Sequence, residues 1–408
     1  MFKFIKLATK NVFRNRRRTV ITGLVLVFGA TALILAGGFI SYSFRGLSEN
    51  TIRSQLGHIQ IYHRDFFEKE EEKPLSLGLE NVDELKAKVL SQEHVRFTMA
   101  RAEFMGLLSN GEKSAVFIGR GIEPAKETEL SGNRAPVDSG VFLGQNARSE
   151  GDAEVVIARG LAKTLKAKLG EYLTLMTTTS AGALNAMDVK VVGIYSTGVP
   201  EYDERALMVD LRTAQQLLVT HKVSKLVVVL DETARTQEVA TALAARLPEI
   251  SLRRWDELAT FYKAVVQLYS AIFAFLGVII FVIVVLSSSN TMLMAIMERT
   301  REIGTQLAVG TSRLRLLVNF LYEGLMIGIF GGLLGLLVGA GIAELIDHAG
   351  LRMPPPPGGT TGYPLFVDLV PGVFVGVFLL IVTTTVVSTI APAFKASRMK
   401  IVDALGHV

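Results

Sequence analysis

Four long stretches of the chain carry almost no charged residue, and segments rich in charged residues separate them. The stretches cover residues 19–44, 264–297, 316–343 and 369–394, and Glu323 is the one charged residue within them. A helix that crosses the hydrocarbon core of a bilayer needs about 20 apolar residues. The pattern therefore predicts four transmembrane helices, called TM1 to TM4 in chain order.

Residues 45–262, between TM1 and TM2, hold charged residues throughout and no long apolar run. Alternating segments such as HIQIYH predict strands, and segments such as NVDELKAKVL predict helices. Both ends of this region give strand, helix and strand, which favours two lobes, one built from the two ends. The predicted fold class is an α-helical membrane protein with four transmembrane helices and a mixed α/β extracytoplasmic domain inserted between TM1 and TM2.

The basic residues beside the membrane helices indicate an orientation. Three segments together hold 14 basic residues: residues 1–18, residues 298–315 and the tail 395–408. Residues 1–18 are also amphipathic, which is typical of a helix in the membrane interface. The loop of residues 344–368 holds one, Arg352. Short cytoplasmic segments carry an excess of lysine and arginine. We therefore expect both termini and residues 298–315 in the cytoplasm, and the large domain outside.

Composition supports a chain that is part membrane protein and part soluble domain. It is 50% hydrophobic and 20% charged, which is too apolar for a soluble protein and too charged for a bundle of spans alone. Many of the basic residues behind the net charge of +5 lie beside membrane segments, so we expect no nucleic-acid partner. The absence of cysteine excludes disulfides and thiolate metal sites.

A search for catalytic motifs finds none of the common ones. The sequence lacks the phosphate-binding loop G-x-x-x-x-G-K-[ST], the zinc motif H-E-x-x-H and the nucleophile motif G-x-S-x-G. His58, His63 and Asp65 lie near one another along the chain, but an odd separation places 58 and 63 on opposite faces of a strand. We interpret them as solvated strand residues. The sequence predicts no catalytic, cofactor-binding or metal-binding residue.

TM3 carries glycines at four-residue spacing, among them Gly328, Gly331, Gly335 and Gly339. Small residues at this spacing let two membrane helices approach closely. Packing against a neighbouring span of the same chain and packing against a second copy both stay open. Glu323 lies near the predicted cytoplasmic end of TM3, where its carboxylate can reach the headgroup region.

Several motifs give the chain a family resemblance. They are the N-terminal A-x-x-N-x-x-R-x-x-x-R-T, the segment E-x-x-x-E-I-G-x-x-x-A-x-G-[AT]-[ST] from Glu298, the run F-L-x-E-G-x-x-x-G-x-x-G-G-x-x-G from Phe320, and the closing A-P-A-x-K-A from Ala391. With one span, a large external domain and three further spans, the chain resembles the MacB/LolC/FtsX type of ABC-transporter permease. GHIQIYHRD and ARGLAKTLKAKLGEYLTL look closest to lipoprotein-releasing permeases of the LolC/LolE type.

The resemblance implies a permease subunit of the bacterial inner membrane, with its large domain in the periplasm and no enzymatic activity of its own. ATP would be bound and hydrolysed by a separate cytoplasmic ABC ATPase, and a second permease copy or paralogue would complete a dimer. The loop between TM2 and TM3 contacts the ATPase in this family. Its amphipathic pattern, with Ile303, Leu307 and, after a turn, Leu314 on one face, is typical of a helix bound in a groove. The expected coupling residues are Glu298, Arg299, Arg301, Glu302, Ile303, Leu307 and Gly310, with Ile303 and Leu307 as apolar anchors and the charged residues as a polar rim.

The function that we expect is release of a lipidated or amphiphilic substrate at the outer face of the inner membrane, driven by the partner ATPase. Two alternatives stay open. One is an efflux permease that works with a periplasmic adaptor, and the other is a non-transporting FtsX-like scaffold that transmits mechanical force. A periplasmic adaptor or chaperone is accordingly an expected partner.

Overall fold

A computed structural model describes residues 16–69, 75–131, 137–145, 152–196, 200–353 and 363–405. The predicted interfacial helix of residues 1–18 lies outside these residues except for its last three, which begin TM1. The chain forms two compact units, a membrane unit of four long helices with their connections and an extramembrane domain of residues 46–264.

Each predicted transmembrane helix is present as a helix long and apolar enough to cross a membrane. TM1 is Arg16–Thr51, TM2 is Thr260–Glu298, TM3 is Arg313–Ala349 and TM4 is Pro371–Ser397. The predicted fold class is thus confirmed. All four helices extend beyond their apolar stretches, because polar residues continue a helix once its backbone hydrogen bonds are established.

Local sequence explains where the membrane helices begin and end. The hydroxyl of Ser312 accepts a hydrogen bond from the Arg315 amide at 3.4 Å and caps the start of TM3. Gly350 ends the same helix with a φ of +60°, a conformation that glycine adopts without steric cost. Pro371 occupies the first turn of TM4, where no amide proton is needed.

The membrane unit is held together by close helix packing and by hydrogen bonds between helices. One apolar core joins TM1, TM2 and TM4 through Leu26, Ala30, Leu33, Ile34, Val284, Val377 and Ile381. Thr22 of TM1 and Thr291 of TM2 share a hydrogen bond of 2.6 Å between their hydroxyls. The Ser289 hydroxyl donates to the Ser388 carbonyl oxygen at 2.7 Å and joins TM2 to TM4. Such hydrogen bonds supplement packing in an apolar environment.

The extramembrane domain is a mixed α/β structure. TM1 leads into it through a π-helical turn at Ile52–Leu56. Its strands are β1 Ile59–His63, β2 Val95–Ser109, β3 Ser114–Ile122, β4 Val137–Gly140, β5 Glu154–Ala158, β6 Tyr172–Thr178, β7 Leu184–Tyr195, β8 Ala206–Asp210, β9 Lys225–Leu230 and β10 Ile250–Arg254. Its helices are α1 Val82–Leu90, α2 Pro124–Ser131, α3 Arg159–Leu165, α4 Pro200–Asp203, α5 Leu211–Leu218, α6 Thr236–Arg246 and α7 Trp255–Leu258.

These strands form one sheet in the order β10-β1-β9-β2-β3-β8-β5-β7-β4, with β6 bridging β2 and β7. The two ends of the region pair with each other, because β1 is antiparallel to both β9 and β10. The 15-residue strand β2 joins the two parts, pairing first with β9 and then with β3 and β6.

Separate apolar cores lie under the two parts of the sheet. The first packs α1 and α6 against β1 and β9, and Val89, Val228 and Leu243 lie within it. The second packs α3 and α5 against the middle strands, and includes Phe104, Phe117, Leu161 and Leu217. The connection of residues 344–368 contains the short strands β11 Arg352–Met353 and β12 Tyr363–Pro364.

Candidate coupling site

The segment between TM2 and TM3 folds as a short helix, α8, which spans Thr300–Ala308. The chain breaks from TM2 at Arg299, whose φ and ψ are −111° and 14°, and α8 follows directly. Gly310 lies in the turn after α8 with a φ of +95°, and an ideal Cβ placed there meets nothing within 4 Å. The need for glycine at this turn therefore comes from backbone conformation and not from a close neighbour. TM3 begins three residues later.

The apolar face of α8 packs against the chain's own membrane helices. Ile303 is 3% exposed and Leu307 9% exposed. Their core is completed by residues from TM2, TM3 and TM4, namely Met292, Ile296, Leu316, Phe320, Ala393 and Ala396. Ile303 and Leu307 were predicted to anchor a partner, but in this structure their side chains are already buried within the chain.

A buried ion pair fixes the start of α8 to TM3. Arg299 Nη1 donates a hydrogen bond to Glu323 Oε1 at 3.2 Å, and both side chains are almost fully buried. Arg299 was predicted in the polar rim, but its side chain is buried, and the Glu323 carboxylate is engaged within the chain. A buried charge needs a partner, and each of these two side chains supplies one for the other.

The other side of α8 and the following turn are open. Arg301, Glu302, Thr305 and Gln306 are exposed on the helix, and Glu298 is exposed at the end of TM2. Beyond them Val309 is 84% exposed and Leu314 71% exposed. Leu314 does not share the buried face of Ile303 and Leu307, contrary to the sequence pattern, because the turn at Gly310 redirects the chain.

Val309 is the residue that sequence reasoning missed. It lies outside the i, i+4 stripe of Ile303 and Leu307, next to a glycine turn. An apolar residue off the stripe, at a turn, is the signal that could have identified it. Val309 also lines a shallow recess of about 370 Å³ together with Glu302, Thr305, Gln306 and Thr311. The open surface thus combines an apolar tip, Val309 and Leu314, with a polar helix side; we call these residues the α8 surface.

The glycines of TM3 are occupied by contacts within the chain. An ideal Cβ at Gly335 would lie 2.5 Å from Ala30 Cβ of TM1, and one at Gly339 3.1 Å from Ile34. Gly331 of TM3 faces Leu26 of TM1, and Gly328 of TM3 faces Thr385 of TM4. Of the two interpretations of these glycines, intramolecular packing is the one that the structure contains, and these faces are not open to a second copy.

The described residues contain no group of three or more His, Asp or Glu side chains that could hold a metal ion. His58 is buried, so its interpretation as a solvated residue is wrong. Its Nδ1 accepts from the Leu230 amide at 3.1 Å, and its Nε2 donates to Thr233 Oγ1 at 3.1 Å. Thr233 in turn donates to Glu49 Oε1 at 2.6 Å. Burial, opposed in part by Glu49, lowers the pKa of His58 to about 4 and keeps the ring neutral.

Two family models match this chain. The model of the MacB-like periplasmic core domain matches residues 19–246, more than half of the chain, and the model of the FtsX-like permease C-terminal region matches residues 273–401. The chain belongs to the family of MacB-like and FtsX-like permeases. Residues 273–401 include all of α8 and the recess beside it, so the candidate coupling site lies in the FtsX-like part.

Relatives of this MacB-like permease carry different names. The macrolide export ATP-binding/permease protein MacB of Wolinella succinogenes is 24% identical over 99% of this chain, which spans 61% of that relative. The uncharacterized ABC transporter permease YknZ of Bacillus subtilis is 22% identical over 99% of this chain and 98% of its own length. The lipoprotein-releasing system transmembrane protein LolC of Neisseria meningitidis is 26% identical over 54% of each chain. The chain thus spans less than two thirds of the MacB protein that it matches.

Proposed function

We propose that this chain is the permease subunit of an ABC transporter of the bacterial inner membrane, and that it transmits the movement of a separate cytoplasmic ATPase to its extramembrane domain. The observation that carries the proposal is that one face of α8 is packed against the membrane helices while the other is exposed. Its buried face and the pair of Arg299 with Glu323 attach it to TM2, TM3 and TM4, while the α8 surface stays open. A partner that pushes this surface would move the ends of three membrane helices together.

Charge and length support the direction of transmission. The 14 basic residues on the side of α8, against one in the loop of residues 344–368, favour a cytoplasmic position for α8. TM2 runs for 39 residues between the extramembrane domain and α8, which is about 58 Å at 1.5 Å per residue. A continuous helix of that length is a stiff mechanical link, and no aqueous path through this chain is needed.

The partner ATPase is proposed to contact Val309 and Leu314 instead of the stripe predicted from sequence. Glu298, Arg301 and Glu302 keep their proposed place in the polar rim, since all three are exposed. A second permease copy or paralogue is proposed to complete the transporter. TM2 offers the surface for it, because TM2 is the least covered of the four membrane helices within the chain.

The proposed substrate is a lipidated or amphiphilic molecule released at the outer face of the membrane, a proposal supported by the name of the LolC relative. Export with a periplasmic adaptor is the second candidate, supported by the MacB relative that aligns over nearly the whole chain. Depletion of the chain from cells distinguishes the two. Retention of lipid-modified proteins in the inner membrane would support release, and unchanged lipoprotein positions with greater macrolide sensitivity would support export.

The coupling proposal is tested by Val309→Asp in the full chain, purified from its own membranes with its partners. A carboxylate at the apolar tip should reduce ATPase co-purification and the associated ATP hydrolysis by more than about tenfold, because an apolar contact would be replaced by a desolvated charge. Leu184→Asp is the matched control, since Leu184 is equally exposed but lies on the extramembrane domain. Full retention of the ATPase by Val309→Asp would overturn the proposal. Leu307→Asp is not diagnostic, because it also disrupts the chain's own core.

A further inference from the structure

One face of strands β2 and β3 carries exposed apolar side chains. Met105 is 71% exposed, and Leu107, Val116 and Ile118 are exposed as well. Met105 pairs with Ile118 and Leu107 with Val116, so the four side chains are cross-strand neighbours on one face. We call these four residues the apolar strip. Soluble surfaces rarely leave such a contiguous apolar group exposed without a ligand or partner to cover it.

A positively charged side chain follows the apolar strip on the same face. Arg120 lies two residues after Ile118 and pairs in register with Glu103 of β2. Its guanidinium stacks over the Tyr202 ring, 5.0 Å from the ring centre, and donates a hydrogen bond to the Tyr202 hydroxyl. Among the described residues no carboxylate oxygen lies within 4.0 Å of Arg120, and Glu103 and Glu127 act on its charge only from a longer distance.

The neighbouring cations on this face differ from Arg120, because each has a carboxylate. Arg101 makes two hydrogen bonds to Glu127, of 2.6 and 3.1 Å. Lys225 Nζ lies 2.7 Å from Glu103 Oε1. Both acids are therefore already engaged. Arg120 is left as the cation whose charge an incoming anion can neutralise.

A buried tyrosine beside Arg120 supplies a second, independent indication of a ligand. Tyr195 is 7% exposed, and its hydroxyl has no hydrogen-bond partner in the described part of the chain. Burial raises the pKa of Tyr195, Arg120 opposes this rise, and Tyr202, Asp203 and Glu127 add to it. The phenol therefore keeps its proton and has a hydrogen bond to donate. A buried hydroxyl without a partner is costly unless something binds there.

We propose that this face binds an anionic amphiphile, a molecule with a carboxylate next to a hydrocarbon chain, whose head is held by Arg120, Tyr195 and Tyr202 and whose tail lies along the apolar strip. The planar guanidinium fork matches a carboxylate, and the two hydroxyls add donors. From Arg120 to Val116 the strand runs four residues, about 13 Å at 3.3 Å per residue, which is enough to receive a tail. The site goes beyond the permease function and holds whether or not its ligand is the transported molecule.

The test uses the full chain in lipid nanodiscs with a diazirine-bearing palmitic acid and, in parallel, the corresponding alcohol. After photolysis, labelled peptides are mapped by mass spectrometry. The acid should label the β2 and β3 peptides about tenfold more than the alcohol, the difference expected for a charge-assisted pair. Arg120→Gln should abolish this preference, and Arg212→Gln, which removes an exposed arginine elsewhere on the domain, should preserve it.

Tyr195→Phe separates ligand binding from a structural role. Because the hydroxyl has no partner within the described protein, its removal should leave thermal stability unchanged or higher while it lowers labelling by the acid. Equal labelling by acid and alcohol, labelling confined to the membrane helices, or an unchanged preference in Arg120→Gln would overturn the proposal. ATP hydrolysis measured in the same samples distinguishes failure of this site from failure of the coupling proposal.

Discussion

Removal of one charge from the buried pair of Arg299 and Glu323 should destabilise the membrane unit strongly. Glu323→Gln keeps the shape of the side chain but removes the carboxylate that accepts a hydrogen bond from the buried Arg299 guanidinium. Breaking a buried ion pair in this way costs about 3 to 5 kcal/mol. For a unit of this size, that cost lowers the melting temperature by about 6 to 20 °C. Thermal unfolding of the purified full chain in detergent measures the change.

The matched control is Glu344→Gln on the same helix, where the carboxylate is exposed and pairs with His348 at 3.4 Å. This exposed pair should contribute less than about 1 kcal/mol. The double variant Arg299→Met with Glu323→Met removes both buried charges and should recover most of the lost stability. If Glu323→Gln melts like the control, or if the double variant is as unstable as the single one, then the pair does not hold α8 to TM3.

Two further predictions concern helix packing and pH. Gly335→Leu should lower the melting temperature of the chain without changing its oligomeric mass, because the new side chain would collide with Ala30. Gly341→Leu is the control and should leave the melting temperature unchanged, because no atom lies within 4 Å of a Cβ at that position. His58 has a folded-state pKa of about 4 against 6.5 unfolded, so the stability that its neutral ring provides is present above about pH 6.5 and is lost as pH falls towards 4, by up to about 3 kcal/mol. Unfolding can be monitored by the fluorescence of Trp255, whose amide donates a hydrogen bond to the His58 carbonyl oxygen. The wild type should lose stability over this pH range. A His58→Gln variant with the same pH dependence as the wild type would contradict the prediction.

The membrane architecture could be predicted because its signal is local. A run of more than 20 apolar residues specifies a membrane helix whatever the rest of the chain does. The α/β nature of the extramembrane domain was accessible for a similar reason, since alternation and helical periodicity are read over a few residues. The pairing of β1 with β9 and β10 joins residues about 165 to 195 positions apart, and short patterns indicated that the two ends form one lobe but not which strands pair.

The candidate site was predicted as a helix, but the structure buries the face that was expected to contact a partner. An amphipathic pattern shows that α8 has an apolar face, yet it does not show what covers that face. The covering side chains, such as Met292, Phe320 and Ala393, come from three separate helices. The pairing of Arg299 with Glu323 was likewise hidden, because several acids and bases lie near α8 and the sequence does not rank them.

His58 illustrates the same limit in the extramembrane domain. Strand alternation correctly separates the two faces of β1, but it cannot show that a helix extension and a turn enclose one end of the strand. In the structure, Glu49 and Thr233 enclose the imidazole from these two directions. Burial that depends on several distant segments is therefore the part of this protein that sequence patterns leave undetermined.

The central claim, that the α8 surface receives a separate ATPase, is tested most directly by site-specific photocrosslinking. A benzoylphenylalanine at position 309 of the full chain, irradiated in its own membranes, should crosslink to a protein that carries the phosphate-binding loop G-x-x-x-x-G-K-[ST]. The same probe at position 184, on an equally exposed site of the extramembrane domain, should give no such product. Absence of the ATPase crosslink at position 309, in a sample where ATP hydrolysis still co-purifies with the chain, would contradict the account.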